Sequence, residues 1–163
     1  MAYSLVIATK SRIMNGMNYK NQKMAVILGL LGLIPFIAPV VLIPILSQSF
    51  IQELLLIQII YASIIMCFMG GVQWGYAVAM GRVAPPLLYV VSIAPSLLIM
   101  AFLAFNEFFN IYGFVIHFIV GCVLLIQAII DHFIIAETWF VKLRWVLALT
   151  ATTSLMVGGY MMA

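Results

Sequence analysis

Charge is what this sequence has least of. Only 7% of its 163 residues are Asp, Glu, Lys or Arg, whereas 67% are hydrophobic. A soluble domain carries roughly 25% charged residues, so this chain lacks the means to cover a water-facing surface and belongs in a membrane. Four acidic residues and two histidines also leave little from which to build chemistry. There is no Ser/His/Asp set, no pair of carboxylates within one apolar run and no phosphate-cradling loop at a helix start. A metal site would have to draw on His117, His132, Asp131 and Glu137. The two histidines lie about four turns apart on one helix, too far for joint ligation. The chain is therefore expected to be no enzyme and to use no metal or cofactor.

Cysteine is equally scarce. Cys67 and Cys122 both fall in apolar runs, without a CxxC spacing or a neighbouring histidine. That excludes a disulfide framework and a zinc site, and leaves both thiols as small packing residues. The only basic cluster is Lys10, Arg12, Lys20 and Lys23; the net charge of +3 reads as membrane topology, and no nucleic-acid partner is expected. The start, MAYSLVIATKSR, places a short apolar run ahead of its basic residues, the reverse of a secretory signal. Residues 4–18 suit either a short interfacial helix, with Leu5, Val6, Ile13, Met14 and Met17 toward lipid, or a partly ordered tail.

What the sequence has in quantity is lipid-length helix. About 20 apolar residues cross a hydrocarbon core of about 30 Å, and five runs qualify: 24–46, 54–80, 87–105, 111–130 and 145–162. They are continuous, not alternating, which excludes a β-barrel. The fold class expected is an all-α integral membrane protein, a five-helix transmembrane bundle over residues 24–163 behind an N-terminal cytoplasmic or interfacial segment, 1–23. Orientation follows from lysine and arginine. With the N-terminus cytoplasmic, Lys10, Arg12, Lys20, Lys23, Arg82, Lys142 and Arg144 all lie inside, Glu53 and Glu107 lie outside, and the C-terminus is on the outer side.

The first run carries Pro35, Pro39 and Pro44, each of which removes a backbone donor. In a membrane the freed carbonyls must be re-satisfied by neighbours or by water, so this helix is expected to be bent and packed inside the bundle. Pro95 adds a kink in the third run beside Ser92 and Ser96.

At 100° per residue, the second run places Gln58, Tyr61, Gln73 and Tyr76 on one side. Ser63, Cys67, Gly70 and Trp74 fall on another, and Gly71 and Gly75 make a GxxxG pair. Two readings stand: close helix packing through Gly70, Gly71 and Gly75, or a helix broken at Gly70–Gly71 to line a site. In the fourth run His117 sits between Gly113 and Gly121, on a face continued by Leu124, Ala128 and Asp131. An ionisable group near the bilayer centre points to function by default, although a neutral imidazole can simply bond a carbonyl. Asp131 and His132 are expected at the hydrated cytoplasmic end, in a polar cluster with Arg82 and Arg144. Thr150, Thr153 and Ser154 share a face of the fifth run, ahead of Gly158–Gly159.

Four stretches, LGLLGLIPFIAPVV, YASIIMCFMGGVQWGYAVA, YVVSIAPSLLIMAFLAF and DHFIIAETWFVKLRWVLALT, together resemble a family of small membrane proteins typified by transmembrane protein 69. The likeness covers nearly all of the chain after about residue 24, and GGxxWG is its most specific element. Where the family pattern often has histidine, this chain has Gln73, which weakens a proton- or metal-based role there. The resemblance implies a bacterial inner membrane or a mitochondrial inner membrane, and no activity.

Partners expected are the lipid bilayer and other membrane proteins or further copies of the chain. The leading functional expectation is a non-enzymatic accessory or assembly subunit of a membrane complex. The rival is a small oligomeric transporter or channel, with Gln58, Gln73, Trp74, Tyr76 and His117 converging on one polar path. A lipid-handling enzyme built on Arg82, Asp131, His132 and Arg144 is a third option.

Overall fold

The computed structural model describes residues 19–43, 45–109, 113–135 and 137–162; the expected interfacial segment at 4–18 lies outside them. Every regular element among them is helical. In chain order these are α1 (Tyr19–Leu31), α2 (Ile34–Leu42), α3 (Gln48–Met80), a 3-10 turn (Gly81–Val83), α4 (Pro86–Phe109), α5 (Phe114–Ile134) and α6 (Thr138–Met162). Four stretches are long and apolar enough to cross a membrane: Asn21–Leu42, Gln48–Val83, Phe114–Ile134 and Thr138–Met161. Pro86–Phe102 in α4 is apolar but shorter. Large hydrophobic side chains such as Leu28, Ile64, Phe68, Val90 and Phe133 stand on the outside, an arrangement that suits hydrocarbon as the surrounding solvent.

The first apolar run is divided between α1 and α2, with the break at Gly32–Leu33. Pro35 follows within one turn and has no N–H to give. The amide of Phe36 turns to the carbonyl of Leu33 at 3.0 Å. The carbonyl of Gly32 instead accepts from the Tyr61 hydroxyl of α3 at 3.1 Å, and the Gln58 amide donates to the carbonyl of Phe36 at 2.7 Å. Side chains of α3 thus repair the backbone that the prolines disturb.

The second run is one unbroken helix. α3 passes straight through Gly70–Gly71, so the interruption considered there is absent. A helical glycine costs only about 1 kcal/mol relative to alanine, while opening the backbone in lipid costs several kcal/mol per unsatisfied group. The 33 residues of α3 make a rod of about 50 Å at 1.5 Å per residue. Its first turns, Gln48 to Glu53, hold four polar residues around Phe50 and Ile51, and the continuous apolar part begins at Leu54.

The last two helices begin and end differently from the apolar runs that mark them. α5 continues through Asp131 and His132 to Ile134, and α6 starts at Thr138. Lys142 and Arg144 are therefore helical residues, and the connection is reduced to 135–137. Gly113 caps α5 with φ of 88°, a value that a side chain would strain.

The core lies where α2, α3, α5 and α6 meet. Phe36, Ile59, Ala62, Met66, Val120, Leu124, Ala151 and Leu155 form one buried cluster. Small residues set the spacing of the helices around it. A Cβ on Gly70 would collide with the carbonyl oxygen of Ser92, so this glycine lets α4 lie against α3. A Cβ on Gly121 would stand 2.9 Å from Met156 Cε and 3.1 Å from Thr152 Cγ2 of α6.

Candidate functional site

The polar side chains of the bundle gather in two places. At the end where α3 and α5 finish and α6 begins, Asp131 is fully buried, its side chain 0% exposed, and it pairs with Arg144, 5% exposed, through Nε at 2.6 Å. The other carboxylate oxygen accepts from Gln73 Nε2 of α3 at 2.9 Å. One acidic residue therefore ties three helices together. A turn further in, Gln127 Nε2 donates to the carbonyl of Met66 at 2.9 Å, a second bond between α5 and α3.

Geometry explains why Asp131 is dry, against its expected place in a hydrated cytoplasmic cluster. It shares the inward face of α5 with His117, Val120, Leu124 and Ala128. The three-residue connection folds the first turns of α6 back beside it, bringing up Arg144. A lone charge in this position is expensive, and partnering with hydrogen bonds to both oxygens is what makes it tolerable. The expected cluster does not assemble as a whole: Arg82 and His132 are exposed. The His132 ring accepts from the Trp145 indole at the long distance of 3.5 Å.

The second polar site lies near the start of α5 and the end of α6. His117 is buried and its Nδ1 donates to the carbonyl of Gly113 at 2.9 Å. Gly159 admits it, for a Cβ there would meet His117 Cβ at 2.8 Å. Gln58 packs against Gly158, and besides Phe36 it approaches the carbonyl of Ser154 at 3.5 Å. Gln58 and Gln73 are about 22 Å apart along α3, as are His117 and Asp131, to within an ångström or so, along α5. Ile59, Ala62, Met66, Val120 and Leu124 fill the space between. His117 and Gln73 thus lie at separate places between the helices.

The rest of the GGVQWG segment divides by helix face. Gln73 points inward and Gly70 packs on α4, whereas Gly71 and Gly75 face away from every neighbour, with nothing within 4 Å of a Cβ built on either. Their expected packing role is therefore not met inside this chain. The reason is angular: each lies two residues from Gln73, about 160° around the helix from it. Trp74 is 42% exposed and packs edge-on against Tyr89 of α4, ring centres 5.1 Å apart. Tyr76 is half-buried. On α6 Thr152 and Ser154 are both buried; Thr152 donates to the carbonyl of Gly121 at 3.1 Å, and Thr153 is exposed.

Gln127 went unremarked among the sequence candidates. Its signal was available, as the one amide in an apolar run, one turn before Asp131 on the same face. Several buried polar atoms keep no hydrogen-bond partner among the described residues: Gln58 Oε1, Gln73 Oε1, Gln127 Oε1, His117 Nε2 and Arg144 Nη2. No group of three or more His, Cys, Asp or Glu side chains among the described residues is placed to hold a metal ion.

A bundle of apolar helices, closed by a buried Gln–Asp–Arg bridge and faced with hydrocarbon, defines a multi-pass membrane protein in contact with the bilayer. The chain belongs to the family described as Protein of unknown function (DUF3429), which it matches over residues 21–160. It is 31% identical over 135 residues to Transmembrane protein 69 of Xenopus tropicalis, covering 82% of this chain and 52% of that protein. It is 30% identical over 140 residues to Transmembrane protein 69 of Mus musculus, covering 83% and 55%. The chain thus spans about half the length of these curated relatives. No solved structure matches it.

Proposed function

We propose that this chain is a non-enzymatic accessory or assembly subunit of a membrane protein complex. In this reading it resides in a bacterial inner membrane or a mitochondrial inner membrane, in the energy-transducing class. It crosses five times, with its N-terminus and basic ends on the cytoplasmic or matrix side and its C-terminus outside. The observation that carries the reading is the outward strip Gly71, Gly75 and Ala79 on α3. All three are exposed, and both glycines have open space around them. Small residues at every fourth position let another transmembrane helix approach closely. The polar side chains, by contrast, are turned inward and spent on holding helices together. Exposed Lys23, Arg82 and Lys142 at one end, and exposed Glu53 at the other, support the orientation.

The rival transporter reading needs Gln58, Gln73, Trp74, Tyr76 and His117 around one cavity, and their dispersal gives it no support. Blue-native electrophoresis of membranes solubilised in a mild detergent tests the proposal. The chain should migrate in a species much larger than 18.1 kDa plus its micelle, and Gly71→Leu with Gly75→Leu should release it. Migration of the native chain only as a free small species would overturn the reading.

A further inference from the structure

A groove of about 390 Å3 runs between α1–α2, α3 and α6, and its wall is apolar almost throughout. That volume lies in the range of small-molecule sites. Three rows of side chains define its length: Ala25 to Phe36, Val72 to Tyr61, and Phe140 to Ala151. Each row covers twelve residues, about 16 Å of helix rise from first to last, which is close to the depth of one bilayer leaflet at about 15 Å. Gly29 and Gly32 keep the α1 side shallow, since even a Cβ on Gly29 would stand 3.3 Å from Leu147.

One charged residue lines this groove, and it is Arg144. Asp131 engages its Nε, but Nη2 is buried without a hydrogen-bond partner among the described residues. A guanidinium carries five N–H donors and no acceptor, so this one has donors to spare beside an apolar channel. Arg144 stands about 6 Å in from the Phe140 end of the groove, the end nearest the basic face, and about 10 Å from the Ala151 end.

We infer that the groove is a binding site for a single acyl chain whose terminal oxygen acceptor is held by Arg144. The chain runs from Arg144 toward Phe36 and Ala151, and its carboxylate, ester or phosphate oxygen takes up the donors that Asp131 leaves free. Asp131 already balances the charge of Arg144, so what the groove offers a ligand is the unpartnered N–H donor, which an oxygen acceptor can take up. A free fatty acid and an acyl chain of an anionic phospholipid both offer this chemistry. The site is separate from the strip proposed for partner docking, so either can fail alone.

The test uses the full chain reconstituted in phosphatidylcholine vesicles with a fatty acid bearing a mid-chain diazirine, followed by peptide mapping of the photoproducts. Labelling of Ile65 and Leu147 should saturate and should exceed that of lipid-facing Val90 and Leu97 at least tenfold. Val72→Trp, which narrows the groove, should lower groove labelling at least fivefold in protein of unchanged thermal midpoint. The paired variant Asp131→Leu with Arg144→Met removes both charges together. It should keep the apolar channel and lose the preference for the free acid over its methyl ester. Stronger labelling by the free acid identifies a fatty-acid source, and stronger labelling by a phosphatidylglycerol carrying the same diazirine chain identifies a membrane lipid. Equal labelling of groove and lipid-facing positions would overturn the inference. So would labelling indifferent to Val72→Trp, or groove labelling that appears only once residues 1–18 are deleted, which would make the chain's own N-terminus the occupant.

Discussion

Replacing Asp131 with leucine is the most informative single perturbation of this fold. The carboxylate is wholly buried and accepts from Gln73 at 2.9 Å and from Arg144 at 2.6 Å. Its removal strands a guanidinium that is 95% buried, with neither Nε nor Nη2 partnered. Breaking a buried pair from one side costs about 3–5 kcal/mol, because the remaining charge is uncompensated. At 1.4 kcal/mol per decade, that lowers the ratio of folded to unfolded protein by a factor of roughly one hundred to a few thousand. Arg144→Met alone should cost a similar amount by stranding the carboxylate. Both substitutions together remove both charges and should return stability to within about 1–2 kcal/mol of the native chain. The coupling energy between the two positions is then at least about 4 kcal/mol. Reversible unfolding in mixed micelles of rising dodecyl sulfate fraction, followed by the fluorescence of Trp74, Trp139 and Trp145, measures all four corners of the cycle. Additive losses, with the paired variant the least stable of all, would refute the claim that this bridge is a coupled buried ion pair.

Three further expectations rest on the same contacts and the same unfolding assay. Gly70→Val should cost well over 2 kcal/mol, because its Cβ meets backbone of α4 that has no room to yield; Gly71→Ala, in open space, should be neutral or gain up to about 1 kcal/mol. Gln73→Leu should lose about 1–2 kcal/mol with the bond to Asp131, and Gln73→His, which can still donate to the carboxylate, should recover most of that loss. Gly159→Leu should force His117 out of its place against α6 and lower the thermal midpoint by more than Gly75→Leu does in detergent, where no partner helix is present.

Much of the bundle was legible in the residues themselves. Runs of apolar side chains gave the helices, and the face of α5 from His117 to Asp131 followed from 3.6-residue periodicity. The errors cluster where tertiary contact overrides local pattern. Asp131 and Arg144 looked like loop residues because each is charged, yet their pairing lets α5 and α6 extend over them. Periodicity already divided GGVQWG between faces, and the structure assigns their neighbours: Gly70 against α4, Gln73 into the bridge, and Gly71 and Gly75 outward. Spacing assigns each residue to a face and leaves open which face meets a neighbour. The Gly32 break followed from proline chemistry in kind, while its position depended on Tyr61 and Gln58 being there to receive the freed carbonyls. Neither the groove nor the spare donors of Arg144 could be seen without the three-dimensional arrangement of α1, α3 and α6.

The short connection at 135–137 has a consequence for how the chain enters the bilayer during synthesis. An aspartate or an arginine alone in a nascent helix adds about 2.5–3.5 kcal/mol to the cost of insertion at the helix centre, less toward its ends. Here the two charges lie thirteen residues apart on adjoining helices and meet as soon as the hairpin closes. The last two helices are thus suited to leave the translocon as one neutralised hairpin, with the order of synthesis itself supplying the counter-charge.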